Sequence, residues 1–491
     1  FEVIEITYPT YMNNCSVCHS TEEQLTAVNA MPISAEGCFS CHGSIEGIPF
    51  SEGTAQFHAS FDENTDCTTC HVSGGVAGTV VDVTDVHNGA ITERGGIIWD
   101  GEDTSVTEGA KIVWEVTDVA DDGTNLTITW QASYDGAGVD PCNATAGAGA
   151  PVFFGDGEGN LSILRSYAQG EDFILGTNPN GAGQPGDDPD VDDTNTTCSG
   201  NVATTVVPVE ETEAMYVRLA IQGKPRLVSI DPDDEDGLMA VRAKTPTYDW
   251  VVGTGGAAPP RRAVVDTALC LDCHVGSLYQ HGGNRVDNVD MCYLCHNPAA
   301  NDEYVRVDTF GVDSSEAYAG RAGQAFGIKE MVHAVHPAGA TGNRIVIYRG
   351  RGIYAWATDE SQLNGWPTED NCTRSNGSPG RLVVGADPAD PTSCQPHTFH
   401  APTYPRGLYD CAACHVGNFA VLPDATKAMA TTVEAGEPPF GDQTNDVLEG
   451  VQTSSCVTCH ADSAAKGHAY QNGWTPQAFE EGRKTIIEAN Q

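Results

Sequence analysis

The sequence predicts an all-β domain inserted between two loop-rich regions that have to bury something other than their own side chains. Two observations carry that division. Residues 89–262 contain stretches that alternate apolar and polar side chains between turn signals, the period of a half-buried strand. Residues 1–88 and 263–491 instead hold every copy of one short cysteine–histidine unit, three copies in the first region and four in the second. A chain of 491 residues with 40% hydrophobic content is long enough for two or three domains.

The repeated unit is Cys-x-x-Cys-His. It occurs as Cys15/Cys18/His19, Cys38/Cys41/His42, Cys67/Cys70/His71, Cys270/Cys273/His274, Cys292/Cys295/His296, Cys411/Cys414/His415 and Cys456/Cys459/His460. This is the pattern for attaching c-type haem: two thiols form thioethers to the vinyl groups, and the adjacent His becomes the proximal iron ligand. A zinc site also uses Cys-x-x-Cys pairs but has no need of His after every second Cys. A thioredoxin-type unit would occur once, near a βαβ pattern. Seven covalent haems are therefore expected. They would stand in for regular secondary structure as core, giving a multihaem cytochrome c, loop-rich with short helices around its haems.

Fifteen His are present, and seven belong to these units. The other eight are His58, His87, His281, His333, His336, His397, His400 and His468, all within the regions that carry the units. Seven irons need seven sixth ligands, so eight candidates come close to a full bis-histidine set with one spare. Seven Met also occur, but with His sufficient no Met ligand is expected. Ile328 to His336 reads as a helix carrying His333 and His336 on one face, where they could reach two neighbouring irons. A second helix is expected from Thr475, with Pro476 in its first turn and Phe479, Ile486 and Ile487 on one face.

In the middle region, Ala110–Thr117 and Asn125–Trp130 alternate around the turn Asp121–Thr124. Met215–Ile221 and Pro225–Ile230 flank Gln222-Gly223-Lys224, a hairpin signal, and Leu238–Ala243 is a further strand candidate. Residues 176–200 read as a long loop. A β-sandwich or barrel is the expected result.

Four Cys lie outside the haem units. Their simplest pairing is Cys142–Cys198 and Cys372–Cys394, each closing a loop within one region; four free thiols are the alternative. Haem attachment of this kind takes place outside the cytoplasm, where disulfides are permitted. The 24 Lys+Arg against 68 Asp+Glu give a net charge of −44, which argues against nucleic acid and anionic lipid as partners. Acidic loops at Asp187–Asp193 and Asp231–Asp236 raise calcium as a ligand, though neither has EF-hand spacing. No apolar run is long enough for a transmembrane helix. The start at Phe1 reads as a mature terminus without a lipid-bearing Cys.

The C-terminal region resembles the pentahaem domain of outer-membrane decahaem cytochromes of the OmcA/MtrC type. The residues that carry this are His281-Gly-Gly-Asn-Arg285 before the Cys292 unit, Met331-Val-His333-Ala-Val-His336, Tyr404-Pro405 ahead of Cys411, and Gly467-His468 after the Cys456 unit. The resemblance implies bis-His haems, a β domain between haem domains, and a role in passing electrons to external acceptors such as metal oxides, with other multihaem cytochromes as partners. Thr7-Tyr8-Pro9 stands before Cys15 as Thr403-Tyr404-Pro405 stands before Cys411, an internal repeat. On that reading 1–88 resembles the last three haem units of such a domain and 263–491 the first four.

The expected domains are thus a trihaem domain at 1–88, the β domain at 89–262 and a tetrahaem domain at 263–491. The expected function is extracellular electron transfer. Complementary incomplete ends suggest copies joining head-to-tail into a filament. A discrete cell-surface or secreted reductase of metals or shuttles is the alternative, and a small-molecule reductase with one open iron is the third reading. No catalytic residue is expected under the first two.

Overall fold

The computed structural model describes Phe61 and most of residues 98–478; the longest stretches outside the described residues in that span are 176–187, 381–396, 417–430 and 434–446. The chain divides into two compact units, Thr10–Thr92 and the remainder. Phe61 is the one described residue of the first, and every described strand and helix belongs to the second.

Among the described residues, the β domain is built mainly from the following strands. They are β1 (Ile112–Asp121), β2 (Asn125–Tyr134), β3 (Leu161–Gln169), β4 (Phe173–Leu175), β5 (Thr196–Ser199), β6 (Val202–Pro208), β7 (Tyr216–Gln222), β8 (Arg226–Val228), β9 (Leu238–Ala240) and β10 (Thr247–Val251). One antiparallel sheet runs β1-β2-β6-β5, with Ala137–Gly138 pairing on β2. The other runs β10-β7-β3-β4, with Asp190–Val191 pairing on β3. Their facing side chains form one apolar core, so the architecture is a two-sheet sandwich. Ile112, Trp114, Ile128 and Trp130 contribute from the first sheet, Leu161, Ile163, Val217, Leu219 and Trp250 from the second. The Trp130 ring is fully buried among Trp114, Phe153 and Phe154, and its indole N–H donates to Thr205 Oγ1 at 3.0 Å.

The β1–β2 hairpin follows the alternation in the sequence. In its turn, Asp122 Oδ1 accepts from Thr124 N and Asn125 N at 2.8 and 2.7 Å, and Gly123 takes the left-handed φ of +82°. The expected hairpin across Gln222-Gly223-Lys224 does not form. β7 is the inner strand between β3 and β10, while β8 turns away to pair with β9. A turn signal reports where the chain bends, and both faces of β7 are buried, so non-local pairing decides its neighbours. The expected loop at 176–200 is also corrected in part: 190–191 and 196–199 are strands.

Beyond the sandwich come three short helices, α1 (Thr267–Leu271), α2 (Val289–Cys295) and α3 (Ile328–Val335). A hairpin of β11 (Ile345–Arg349) and β12 (Gly352–Trp356) follows, with β13 (His397–His400) parallel to β12. The helix α4 (Ser463–Asn472) lies near the end. The expected helix from Thr475 is overturned where it is described: Gln477–Ala478 is a strand paired with Val447–Leu448. Its anticipated face at Phe479, Ile486 and Ile487 lies outside the described residues, as does the repeat at Thr7–Pro9.

This region holds a buried ion pair. Arg306 Nε and Nη2 donate to the two Asp302 carboxylate oxygens at 2.8 and 3.0 Å, and both side chains are 0% exposed. Further bonds surround the pair: Arg306 donates to the carbonyls of Arg321 and Val346, and Asp302 accepts from the Gln324 and Tyr348 amides.

The sandwich and this region share a seam. On β3 and β7 the residues that do not face the sandwich core, Leu164 and Ala220, pack against Met291 and Leu294 of α2. Ser166 Oγ donates to the Leu294 carbonyl at 2.8 Å. Arg218 forks onto Asp249 at 2.7 Å twice and reaches Asp290 Oδ1 at 2.8 Å. Both faces of the β10-β7-β3-β4 sheet are therefore used, one for the sandwich and one as a platform for α2.

Candidate haem centres

The four described Cys-x-x-Cys-His units share one local structure. In each, the His N–H donates to the carbonyl of the first Cys: His274 to Cys270 at 2.8 Å, His296 to Cys292 at 2.9 Å, His415 to Cys411 at 3.0 Å and His460 to Cys456 at 2.9 Å. That bond closes a single helical turn. At 3.6 residues per turn, positions i, i+3 and i+4 project from one side, so one turn presents both thiols and the imidazole to the same disc. The turns are capped locally. Asp266 accepts from Ala268 N at the start of α1, and Asn288 accepts from Asp290 N and Met291 N at the start of α2.

The units lie together. Before attachment, burial pushes the Cys270 thiol up to about 11, helped by Cys414, Asp266 and Cys273. Burial pushes Cys292 up to about 12, with Cys295 and Cys270 adding to it and Arg285 opposing. Cys459 is raised by burial and by nearby Cys456 and Cys411, against an opposing hydrogen bond from Thr458. Electrostatic neighbours therefore link the second unit of this region to the first, the first to the third, and the third to the fourth.

α3 runs through this group. Its C-cap His336 has its ring centre 6.4 Å from that of His274, with the planes at 83°. His333, on the same helix, has its ring centre 6.0 Å from that of His415, with the planes at 37°. A metal–imidazole bond is about 2.0 Å and the nitrogen sits about 1.1 Å from the ring centre, so two rings on opposite sides of one metal have centres about 6.2 Å apart. Both observed spacings match that value. Cys459 Sγ lies 3.8 Å from the His333 carbonyl, and Ile328 N donates to the His296 carbonyl at 2.7 Å, so α3 lies beside all four units.

Two further properties of these imidazoles bear on metal binding. The Nδ1 of His296 donates to the Phe326 carbonyl at 2.8 Å, that of His336 to Val332 at 2.9 Å, and that of His415 to Val264 at 3.2 Å. A ring whose Nδ1–H is committed to a carbonyl leaves the Nε2 lone pair for a metal. Burial lowers the pKa of His296 and of His333 to about 4, and also lowers His336 and His415, so each is neutral at physiological pH. Tyr404 packs its ring against His336, centres 5.9 Å apart, and burial with the neighbouring Cys414 and Cys273 pushes its phenol up to about 12. The donor set, its spacing and its tautomers fit haem.

Other predicted site residues fall less centrally. His460 is exposed, and His468 is exposed on α4. His397 and His400 stand in register with Ile353 and Trp356 across β13 and β12. Cys15, Cys18, His19, Cys38, Cys41, His42, Cys67, Cys70, His71, His58, His87, His281 and Cys394 lie outside the described residues. Cys142 and Cys198 form a disulfide, S–S 2.04 Å. Of the acidic loops, 231–236 lies outside the described residues; Asp192 in the other gives Oδ1 to Thr194 and Asn195, which closes the turn locally. Sequence reasoning missed Tyr404 as a neighbour of His336 and Val264 as the carbonyl behind His415, since both contacts span long sequence distances.

Four one-turn Cys-x-x-Cys-His units, two of them with a histidine of α3 at ring-centre distances of 6.4 and 6.0 Å, give this chain the attachment pattern of a multihaem c-type cytochrome. Residues 262–489 match the family model described as outer membrane cytochrome MtrC/MtrF-like, domains II/IV, and residues 10–76 match that for cytochrome c3. The chain is similar in structure to the outer membrane decahaem cytochrome OmcA, at 14% identity and a TM-score of 0.46, covering 99% of this chain and 61% of that one. It is also similar to MtrC from Shewanella baltica OS185, at 14% identity and a TM-score of 0.45, covering 99% of this chain and 64% of that one. The chain thus spans less than two thirds of either. No curated protein matches it. Among the described residues, no helix is long and apolar enough to cross a membrane.

Proposed function

We propose that this protein relays electrons outside the cytoplasm through a row of seven bis-histidine c-type haems. The observation that carries the reading is the pair of histidine couples on α3, His336 with His274 and His333 with His415, each at the spacing of two axial ligands. In this reading Cys270, Cys273, His274 and His336 would hold one haem, and Cys411, Cys414, His415 and His333 another. Haem supplies one-electron chemistry with little rearrangement when both axial positions are filled. The chain's part is to hold His333, His336 and His415 neutral, fix the tautomers of His336 and His415, and keep the two irons adjacent, because the two ligands stand three positions apart on one helix. An iron held by two histidines has no position for substrate, which favours relay over small-molecule chemistry. Thioether attachment, the Cys142–Cys198 disulfide and the match to an outer membrane cytochrome family support a location beyond the cytoplasm.

Carbon monoxide tests the ligation. The reduced protein is expected to bind none, and His333→Ala and His336→Ala are each expected to open one iron to it. CO binding by the unaltered protein at the Cys270 or Cys411 haem would sink the reading. The histidine distribution supports a further step: 1–88 holds His58 and His87 for three units, against six non-unit His for four units in 263–491. A ligand donated by another domain or another copy would complete the set, and a donor in another copy would join molecules head-to-tail. Electron microscopy of the native protein decides this: filaments with a one-subunit repeat support assembly, and discrete particles point to a separate surface reductase.

A further inference from the structure

We infer that Tyr404 is a positioning residue for His336, holding its imidazole across the plane of His274 so that the iron between them has crossed axial ligands. This rests on the ligation proposed above. The planes of His274 and His336 meet at 83°, whereas those of His333 and His415 meet at 37°. An imidazole turns about its Cβ–Cγ bond, and two contacts limit that rotation in His336. Its Nδ1–H donates to the Val332 carbonyl one turn back on the same helix, at 2.9 Å. The Tyr404 ring meets it edge to face at 84°, centres 5.9 Å apart. The hydrogen bond alone leaves the ring free to rock about its donor atom; a flat aromatic wall at right angles removes that freedom.

Tyr404 comes from the segment just ahead of the Cys411 unit, so the approach to one haem sets the ligand geometry of another. The consequence is electronic. Each axial imidazole mixes its π system with the iron d orbital perpendicular to its own plane. Crossed planes engage the two dπ orbitals equally and leave them nearly degenerate, which gives the oxidised iron a highly anisotropic low-spin resonance. Planes closer to parallel split the pair and give a rhombic resonance. This is tuning by orientation, from a neighbour that touches the ligand and not the metal.

Electron paramagnetic resonance of the intact, haem-loaded, fully oxidised chain reads this directly. His336→Ala is expected to remove a highly anisotropic low-spin component and add high-spin iron. Tyr404→Phe keeps the ring and is expected to leave the spectrum unchanged. Tyr404→Leu is expected to lose the anisotropic component and gain a rhombic one, with haem content and the number of low-spin irons unchanged. Tyr404→Met, equally unable to present a flat ring, is read the same way, so a single failed maturation does not decide the outcome. Unchanged spectra in both truncations overturn the positioning role. A His336→Ala difference in which the lost component is rhombic also overturns it while leaving the ligation intact. Absence of new high-spin iron in His336→Ala removes the ligation itself.

Discussion

The sandwich and the haem-bearing region solve the same problem, filling an interior, in different ways. The sandwich fills it with side chains: Trp114, Trp130, Phe153 and the alternating aliphatics of two sheets form one continuous apolar cluster. The region after residue 262 has smaller clusters, one around Val346 and Tyr348, another around Phe326 and Ile345. Its interior also encloses the Asp302–Arg306 pair, both side chains 0% exposed. Around the four Cys-x-x-Cys-His turns, the groups brought together are thiols and imidazoles. Side-chain burial gives a core that stands alone, and a cofactor-built core stands only when the cofactor is attached.

Blocking attachment breaks the comparison most sharply. With both Cys of the Cys270, Cys292, Cys411 and Cys456 units changed to Ser, the haem-bearing region is expected to lose its protection from protease. The sandwich, residues 112–251, is expected to survive as a resistant fragment held by its own core and by Cys142–Cys198. Protease footprinting with mass spectrometry measures this. Equal loss of both regions would show that the sandwich depends on the haem region for its fold.

Smaller in effect is Asp302→Ala. It leaves Arg306 fully buried without its counter-charge, and breaking such a pair costs about 3–5 kcal/mol. Thermal unfolding followed at the haem absorbance is expected to move down strongly, while the sandwich transition holds. A haem region unmoved by Asp302→Ala would mean that attached haems alone set its stability.

The same contrast decides what was legible in the sequence. Period-2 alternation gave β1 and β2, because a sheet with one face on an apolar core writes its pattern into the chain. Cys-x-x-Cys-His spacing gave four described attachment turns, because a covalent bond needs fixed residues at fixed offsets. The helix at Ile328–Val335 is readable from the spacing of His333 and His336, three apart on one face. β7 was misassigned to a hairpin because its partners, β3 and β10, are distant in sequence. α4 carries Ala464, Ala465 and Gly467 and no apolar stripe, so its sequence offers little periodicity to find. The expected helix at Thr475 gave way at Gln477–Ala478 to an edge pairing with Val447–Leu448, a contact that local propensity does not encode. Which histidine faces which depends on how loops return to α3, and no spacing rule carries that.

The smallest effect belongs to the seam, where the two kinds of interior meet. Arg218 is nearly buried and holds two carboxylates at once, Asp249 on β10 and Asp290 in the first turn of α2. Arg218→Met keeps the packing against β3 and removes the charge. Asp249 and Asp290 are 25% and 55% exposed, so water can take over their solvation, and the cost is expected at about 1–3 kcal/mol, below that of a fully enclosed pair. Asp290 stands two residues before Cys292, and so the haem on Cys292 and Cys295 is the one whose potential should move, with the others unchanged. Protein-film voltammetry alongside calorimetry separates the possibilities. A stability loss without any change in potential makes the seam a mechanical support only. A shift confined to one haem makes the sandwich a fixed platform that tunes its nearest electron carrier. No change in either would mean that two independent folds merely touch, with the fork of Arg218 solvated as readily as it is paired.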